Sequence, residues 1–253
     1  MKVVIITGAS SGMGAEFTRQ LDKELSDVEE FWLVARRRER MEALAAELKH
    51  PVRIYAEDVR NESFYESLEQ NLKAAKADIK ILVNNAGYGI VGGVKDRSRE
   101  ELLGMLDVNC RAMMAVIMTC LPFMNRNARI LQMASSAAYL PQPKFAVYAA
   151  TKSYVLSFSR ALAEELRPQG IYVTAVCPGP VETEFFDKAE QYGASYRFKK
   201  LFMMQPEKVV AQAIGASMRK QVIVTPGLGM KGFRLMTKII PHGIILRVMR
   251  LLK

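Results

Sequence analysis

Short, uninterrupted apolar runs recur along the chain. Each is followed by a stretch whose apolar residues fall three and four positions apart. The runs at 3–6, 31–35, 52–56, 81–83, 128–133, 171–176 and 222–224 read as strands. The stretches at 12–25, 38–48, 62–76, about 100–120, 147–166 and 209–218 read as helices. Strands that are apolar on both faces and separated by helices belong to a parallel sheet covered on both sides. Right-handed crossovers then give a doubly wound seven-stranded α/β sheet with helices on both faces. No Pro/Gly/Ser-rich linker divides it, so 1–228 is expected to form one domain and 229–253 a C-terminal helical extension.

Composition narrows the class. Of 253 residues, 50% are hydrophobic, enough for a substantial core. Cys110, Cys120 and Cys177 are scattered, odd in number and form no CxxC pair, so they read as reduced core thiols in a cytoplasmic protein. With two histidines in the chain, no metal site is expected. The N-terminal apolar run is too short for a signal peptide, and no apolar run reaches bilayer length. The formal net charge is +10. Glu207 is the last acidic residue, and nine cations follow it, so residues 1–207 are nearly neutral. No aromatic-interleaved basic groove accompanies that charge, which argues against a nucleic-acid partner.

Chemistry enters at the strand ends. Directly after the first strand stands TGASSGMG, with Gly8, Gly12 and Gly14 and, between them, Ser10, Ser11 and Met13. Glycines at a strand-to-helix turn allow a pyrophosphate close to the backbone, beside the free N–H groups of the helix. An acid at the end of the second strand would bond the ribose hydroxyls of NAD. This chain has Ala35, Arg36, Arg37 and Arg38 instead. Arginine matches a 2′-phosphate, so NADP (NADPH) is the expected cofactor, with Arg36 nearest the strand end. Asp58 and Val59 follow the third strand, and Asn84, Asn85, Ala86 and Gly87 the fourth. Both lie where open α/β sheets bind ligands. Asp58 alone also reads as a turn residue or helix cap.

Together, TGASSGMG, NNAG at 84–87, Asn109, Ser135, YAATK at 148–152 and PGPVET at 178–183 resemble the short-chain dehydrogenase/reductase family over about 1–225. The resemblance implies a Rossmann-type fold and an NADP-dependent oxidoreductase. Tyr148 and Lys152, four apart, share a helix face, and the ammonium is expected to lower the phenol pKa for proton exchange. Ser135, thirteen before Tyr148, would hydrogen-bond the substrate oxygen. By resemblance, Lys152 also holds the nicotinamide ribose and Asn109 a relay water. Val181 would sit beside the carboxamide, within a Pro178, Gly179 and Thr183 cofactor loop. Tyr139 and Tyr154 lack a lysine four residues on and read as pocket or packing residues.

Substrate choice is expected from 86–94, 137–147 and 184–205. The last segment is rich in aromatics and methionine, and a cover over an apolar substrate and ordinary helix packing are both open for it. A hydrophobic ketone or secondary alcohol, steroid-like or fatty-acyl, is the expected substrate. A carrier-linked 3-oxoacyl reductase is the alternative, and a non-catalytic dinucleotide sensor is disfavoured by the presence of Tyr148 and Lys152. A homodimer or homotetramer is expected. The tail over 241–252 reads as a short apolar helix with a basic stripe. Packing on the core or a partner subunit comes first for it. Peripheral contact with the inner face of the membrane and docking of an acidic carrier protein are the alternatives.

Overall fold

In the computed structural model, residues 1–185 and 203–251 are described. The strands are β1 (Lys2–Thr7), β2 (Glu30–Val34), β3 (Val52–Tyr55), β4 (Asp78–Asn84), β5 (Arg129–Met133), β6 (Tyr172–Val176) and β7 (Ile223–Val224). The helices are α1 (Gly12–Glu24), α2 (Arg38–Ala45), α3 (Glu62–Ala74), α4 (Arg99–Leu106), α5 (Met113–Cys120), α6 (Ala146–Leu166), α7 (Pro206–Met218), α8 (Leu228–Ile239) and α9 (His242–Leu251). The strands form one seven-stranded sheet in the order β3-β2-β1-β4-β5-β6-β7, with every neighbouring pair parallel.

The pleat divides β1 between two cores. Val3 and Ile5 face the side covered by α3, α5 and α6, where Phe64, Leu68, Val116 and Leu162 are buried. Val4 and Ile6 face the side covered by α1, α2 and α7, where Phe17, Leu21, Met41 and Ile214 are buried. Burying each such side chain contributes about 1.5–3 kcal/mol, so both strand faces are held apolar. Strand order reverses between β1 and β4, which opens a crevice at their carboxyl ends.

The structure refines several expected elements. β4 begins at Asp78, where Asp78 N–H bonds the Met1 carbonyl at 2.8 Å, although its alternating Asp and Lys masked the start. The 100–120 stretch starts from a capping box, Ser98 with Glu101, and is interrupted by a π-turn at Asp107–Ala112. Among the described residues, the helical stretch Arg99–Phe123 is long and apolar enough to cross a membrane by length and composition alone, although Asp107 and Arg111 break its apolar run. Its inner residues Met105, Ala112, Val116 and Cys120 are buried in the cores, as befits a core helix. The tail holds two helices where one is expected, with Ile240 and Pro241 between them. The three cysteines are free thiols, Cys120 and Cys177 buried.

Candidate active site

The glycine turn is locked from beneath. Thr7 Oγ1 accepts from the N–H groups of Asn85 and Ala86, each at 3.0 Å, and donates toward Asn84 Oδ1 at 3.3 Å. Asn85 Nδ2 donates back to the carbonyls of Thr7 at 3.1 Å and Gly8 at 3.2 Å. The β1 and β4 turns are therefore one hydrogen-bonded unit. Gly8 and Gly12 have φ of +68° and +52°, a region costly for other residues. A Cβ on Gly14 would lie 2.1 Å from the Gly8 carbonyl oxygen, so α1 starts directly under the turn. Ser11 caps α1 without a side-chain bond, which leaves the first N–H groups of the helix to a ligand. These features fit a dinucleotide pyrophosphate.

Arg37 reaches over this turn. Its guanidinium donates to Ser11 Oγ at 2.7 Å and Ser10 Oγ at 3.3 Å, and pairs with Glu184 at 2.9 Å. Arg40 binds the other Glu184 oxygen, and the two arginines hold that carboxyl below its usual range. Arg36 is exposed at the end of β2 and reaches Asp58 only through its field. Asp58 is held by the backbone N–H and guanidinium of Arg60, which depress its pKa.

Two residues expected to face the cofactor turn inward instead. Asn84 is buried, with its amide donating to the Met113 carbonyl at 2.8 Å. Val59 packs in the α3 core, and its carbonyl accepts the Tyr65 hydroxyl. Met13 is half-buried against the α1 core.

The chemical centre lies one strand over. Tyr148 and Lys152 project from α6, and Ser135 stands two residues beyond β5, capping the short helical turn Ser136–Tyr139. The Ser135 hydroxyl accepts from Ala137 N–H at 3.1 Å and hydrogen-bonds the Tyr148 side chain. Lys152 Nζ donates to the Met133 carbonyl at 2.6 Å and sits 5.7 Å from the Tyr148 ring centre. Burial pushes the phenol up to about 12, with the Ser135 bond opposing it, and pushes the ammonium down to about 8. This departs from the expected depression of the phenol by Lys152. The ammonium is turned to a backbone carbonyl, so desolvation governs Tyr148. Burial thus favours the protonated phenol. A difference titration of cofactor-free wild type against Tyr148→Phe, read at the phenolate band, is expected to give a midpoint near pH 12. A midpoint near neutrality would restore control by the ammonium.

Asn109 stands in the π-turn, which brings its side chain into the buried site. Its amide donates to the Tyr88 carbonyl at 2.9 Å and to Thr151 Oγ1 at 3.0 Å, and its Oδ1 accepts from Tyr88 N–H at 3.0 Å. Thr151 in turn donates to the Tyr148 carbonyl at 2.7 Å. A Cβ on Gly87 would lie 2.9 Å from Asn109 Oδ1 and 3.4 Å from Lys152 Nζ, so the 84–87 turn reaches both side chains.

Around Tyr148 the wall is apolar. Phe145 stacks on its ring at 4.3 Å between centroids, Phe185 lies at 5.5 Å, and a Cβ on Gly89 would touch both Tyr148 and Phe145. Val91, Met105 and Ala137 complete this cluster. The expected segments 86–94 and 137–147 therefore meet at Tyr148. Of 184–205, Phe185 joins them, whereas Phe186, Tyr192, Tyr196, Phe198 and Phe202 lie outside the described residues.

The loop after β6 closes the site. Pro178 accepts from Ser136 N–H at 2.8 Å, and Gly179 packs against Met230 of α8. Val181 is buried and bridges to Met204, and the Thr183 methyl faces Gly12. Tyr139 bonds Thr225 at 2.7 Å, and Tyr154 stacks on Phe158, which leaves both in packing roles. Among the described residues, no group of three or more His, Cys, Asp or Glu is placed to hold a metal.

Thr7 and Asn85 stand inside quoted motifs without a role read from them, and Thr151, Arg40 and Glu184 are residues that motif reading passes over. Only Thr151 carried a local signal, a hydroxyl three residues after Tyr148 on an otherwise apolar helix face.

The chain is similar to known proteins. The sulfoacetaldehyde reductase 2 of Chromohalobacter salexigens is 35% identical over 190 residues, covering 72% of this chain and 74% of that protein. A very-long-chain 3-oxoacyl-CoA reductase of Coprinopsis cinerea is 33% identical over 182 residues, covering 68% of this chain and 52% of that protein. The structure of a short-chain dehydrogenase from Sphingobium yanoikuyae in complex with NADPH superposes with a TM-score of 0.78 at 28% identity, covering 95% of this chain and 97% of that one. The family model for short chain dehydrogenases matches residues 2–192. The chain therefore belongs to the short-chain dehydrogenase family, as an oxidoreductase that uses a nicotinamide dinucleotide.

Proposed function

We propose that the enzyme interconverts a hydrophobic ketone and its secondary alcohol with NADP(H). The observation that carries the cofactor choice is Arg37, held over the Ser10 and Ser11 hydroxyls with no acid at the end of β2. Phe145, Phe185 and Val91 around Tyr148 support an apolar substrate. Bound nicotinamide supplies or receives the hydride. Ser135 donates a hydrogen bond to the substrate oxygen, and the Tyr148 phenol passes its proton to that oxygen as charge develops there. The Lys152 ammonium then faces a phenolate, and Asn109 with Thr151 fixes the helix that carries both.

A 3-oxoacyl thioester, carrier-linked or free, is the second reading. The 3-oxoacyl-CoA reductase relative and the basic tail favour it. Exposed Leu103, Leu106, Met114 and Met118 along α4 and α5 support the expected homodimer or homotetramer. A cytoplasmic location accompanies this reading.

NADPH and NADH titrations, followed by a ketone and 3-oxoacyl-thioester panel read at the nicotinamide absorbance, test both. Arg37→Ala is expected to weaken NADPH binding by roughly tenfold to a hundredfold, the loss of a charge-assisted contact, and to leave NADH nearly unchanged. Glu184→Gln frees both arginines for a phosphate and is expected to tighten NADPH severalfold. Equal effects on the two cofactors would rule out the 2′-phosphate assignment.

A further inference from the structure

We infer that the successive helices α8 and α9 dock the enzyme on an anionic lipid surface. This goes beyond the oxidoreductase reading and does not depend on it. α8 already has one face against the body, and α9 borders a cavity beside it. Met230 packs on Gly179, Thr237 is buried, and Arg234 covers the Tyr139 ring. His242 and Leu246 border a cavity of about 500 Å³ against the 138–143 segment and α6.

A second apolar stripe points outward. At 100° per residue, Leu228, Leu235 and Ile239 share one side of α8, with Lys231 and Lys238 along its edge. Ile244, Val248 and Leu251 share one side of α9, with Arg247 along its edge and Arg250 further round the helix. The six aliphatic residues are 48% to 85% exposed. Two helices in succession thus repeat one arrangement, an aliphatic centre with a basic margin.

Charge decides the occupant. No acidic residue follows Glu207, and no ion pair among the described residues involves Lys231, Lys238, Arg247 or Arg250. A two-fold contact between copies would set these margins against each other with nothing to neutralise them. An anionic bilayer neutralises the cations and buries the aliphatic stripes together. Lys231, Arg234 and Lys238 also surround a hollow of about 180 Å³ beside Leu235, a fit for a lipid phosphate. At 1.5 Å rise per residue the helices are about 18 and 15 Å long, so they lie in the interface and do not span it.

The test is flotation of the full-length protein with phosphatidylcholine vesicles, with and without phosphatidylglycerol, at low and high salt. Binding is expected only with phosphatidylglycerol. Lys231→Gln with Lys238→Gln is expected to lower the partition coefficient roughly thirtyfold. Leu235→Ser with Ile239→Ser is expected to lower it roughly a hundredfold or more while keeping every charge. Both pairs lie on the surface, and unchanged melting temperature and NADPH affinity confirm that they fold. Failure of the wild type to float, or flotation indifferent to both pairs, overturns the inference. So does loss of a larger oligomer in the serine pair without vesicle binding, which assigns the face to a subunit contact. Binding of a soluble acidic protein but not of vesicles overturns it as well.

Discussion

Tyr148→Phe is expected to keep the fold and the NADPH affinity while lowering turnover roughly a hundredfold to ten-thousandfold, the range for losing a positioned proton donor. The ring itself is retained, so its stacking on Phe145 and its contact with Phe185 survive. What disappears is one hydroxyl and its bond to Ser135, worth about 1 kcal/mol of stability. Ser135 keeps its bond from Ala137 N–H, so its rotamer is not released. The donor matters because the phenol is the proton-bearing group beside Ser135. Lys152 gives one of its three N–H groups to the Met133 carbonyl, and Asn109 and Thr151 are bonded to each other and to backbone. Both kcat and kcat/KM should fall together, as for an interaction made in the transition state. Retention of a tenth or more of the wild-type rate, with binding intact, would sink the assignment of Tyr148 as proton donor.

The sheet and the chemistry were legible in the chain to different depths, and the reason is distance along it. Strand identity is local: the run Val3–Ile6 is apolar because both pleat faces meet a core, and any such run announces itself. Tyr148, Lys152 and the glycine trio are local too, set by helix and turn spacing. Adjacent residues at a strand end are harder, because a pleat sends neighbours to opposite sides. Asn84 and Asn85 look alike in sequence. The first is spent inside on Met113 and the second clamps the glycine turn. Partners remote in sequence were beyond reach. Glu184 lies 147 residues from Arg37 and 144 from Arg40, and no periodicity links them. The surroundings of Lys152 were out of reach for a related reason: spacing brings the ammonium near Tyr148, but the Met133 carbonyl that accepts its hydrogen bond lies on another element.

The glycine turn gives the second large effect. Gly14→Ala is expected to cost about 3 kcal/mol or more of stability, a fall in melting temperature of roughly 6–12 °C, and to abolish measurable NADPH binding. Its backbone conformation is ordinary, so the penalty is purely steric. The new Cβ would meet the Gly8 carbonyl oxygen at 2.1 Å and the Asn85 amide at 2.7 Å. Neither can retreat, because Gly8 N–H is bonded to Val34 at 2.8 Å and Asn85 is bonded to the turn it would have to leave. Gly12→Ala makes the contrast. Its φ of +52° costs about 1–2 kcal/mol for a residue with a Cβ, and its nearest neighbour is the Thr183 methyl at 3.1 Å, a side chain able to shift. Gly8→Ala combines both penalties, a φ of +68° and contacts of 2.7 Å to Asn85 and 3.0 Å to the Ala86 backbone. Gly12→Ala is therefore expected to melt a few degrees low and to bind NADPH weakly, with both other variants worse on each measure. Calorimetric melting and NADPH titration on the three variants check the order. If Gly14→Ala matches Gly12→Ala in both, the turn and α1 are not the rigid unit that the Thr7 and Asn85 bonds describe, and the positioning of the phosphates must come from Arg37 and the β6 loop instead.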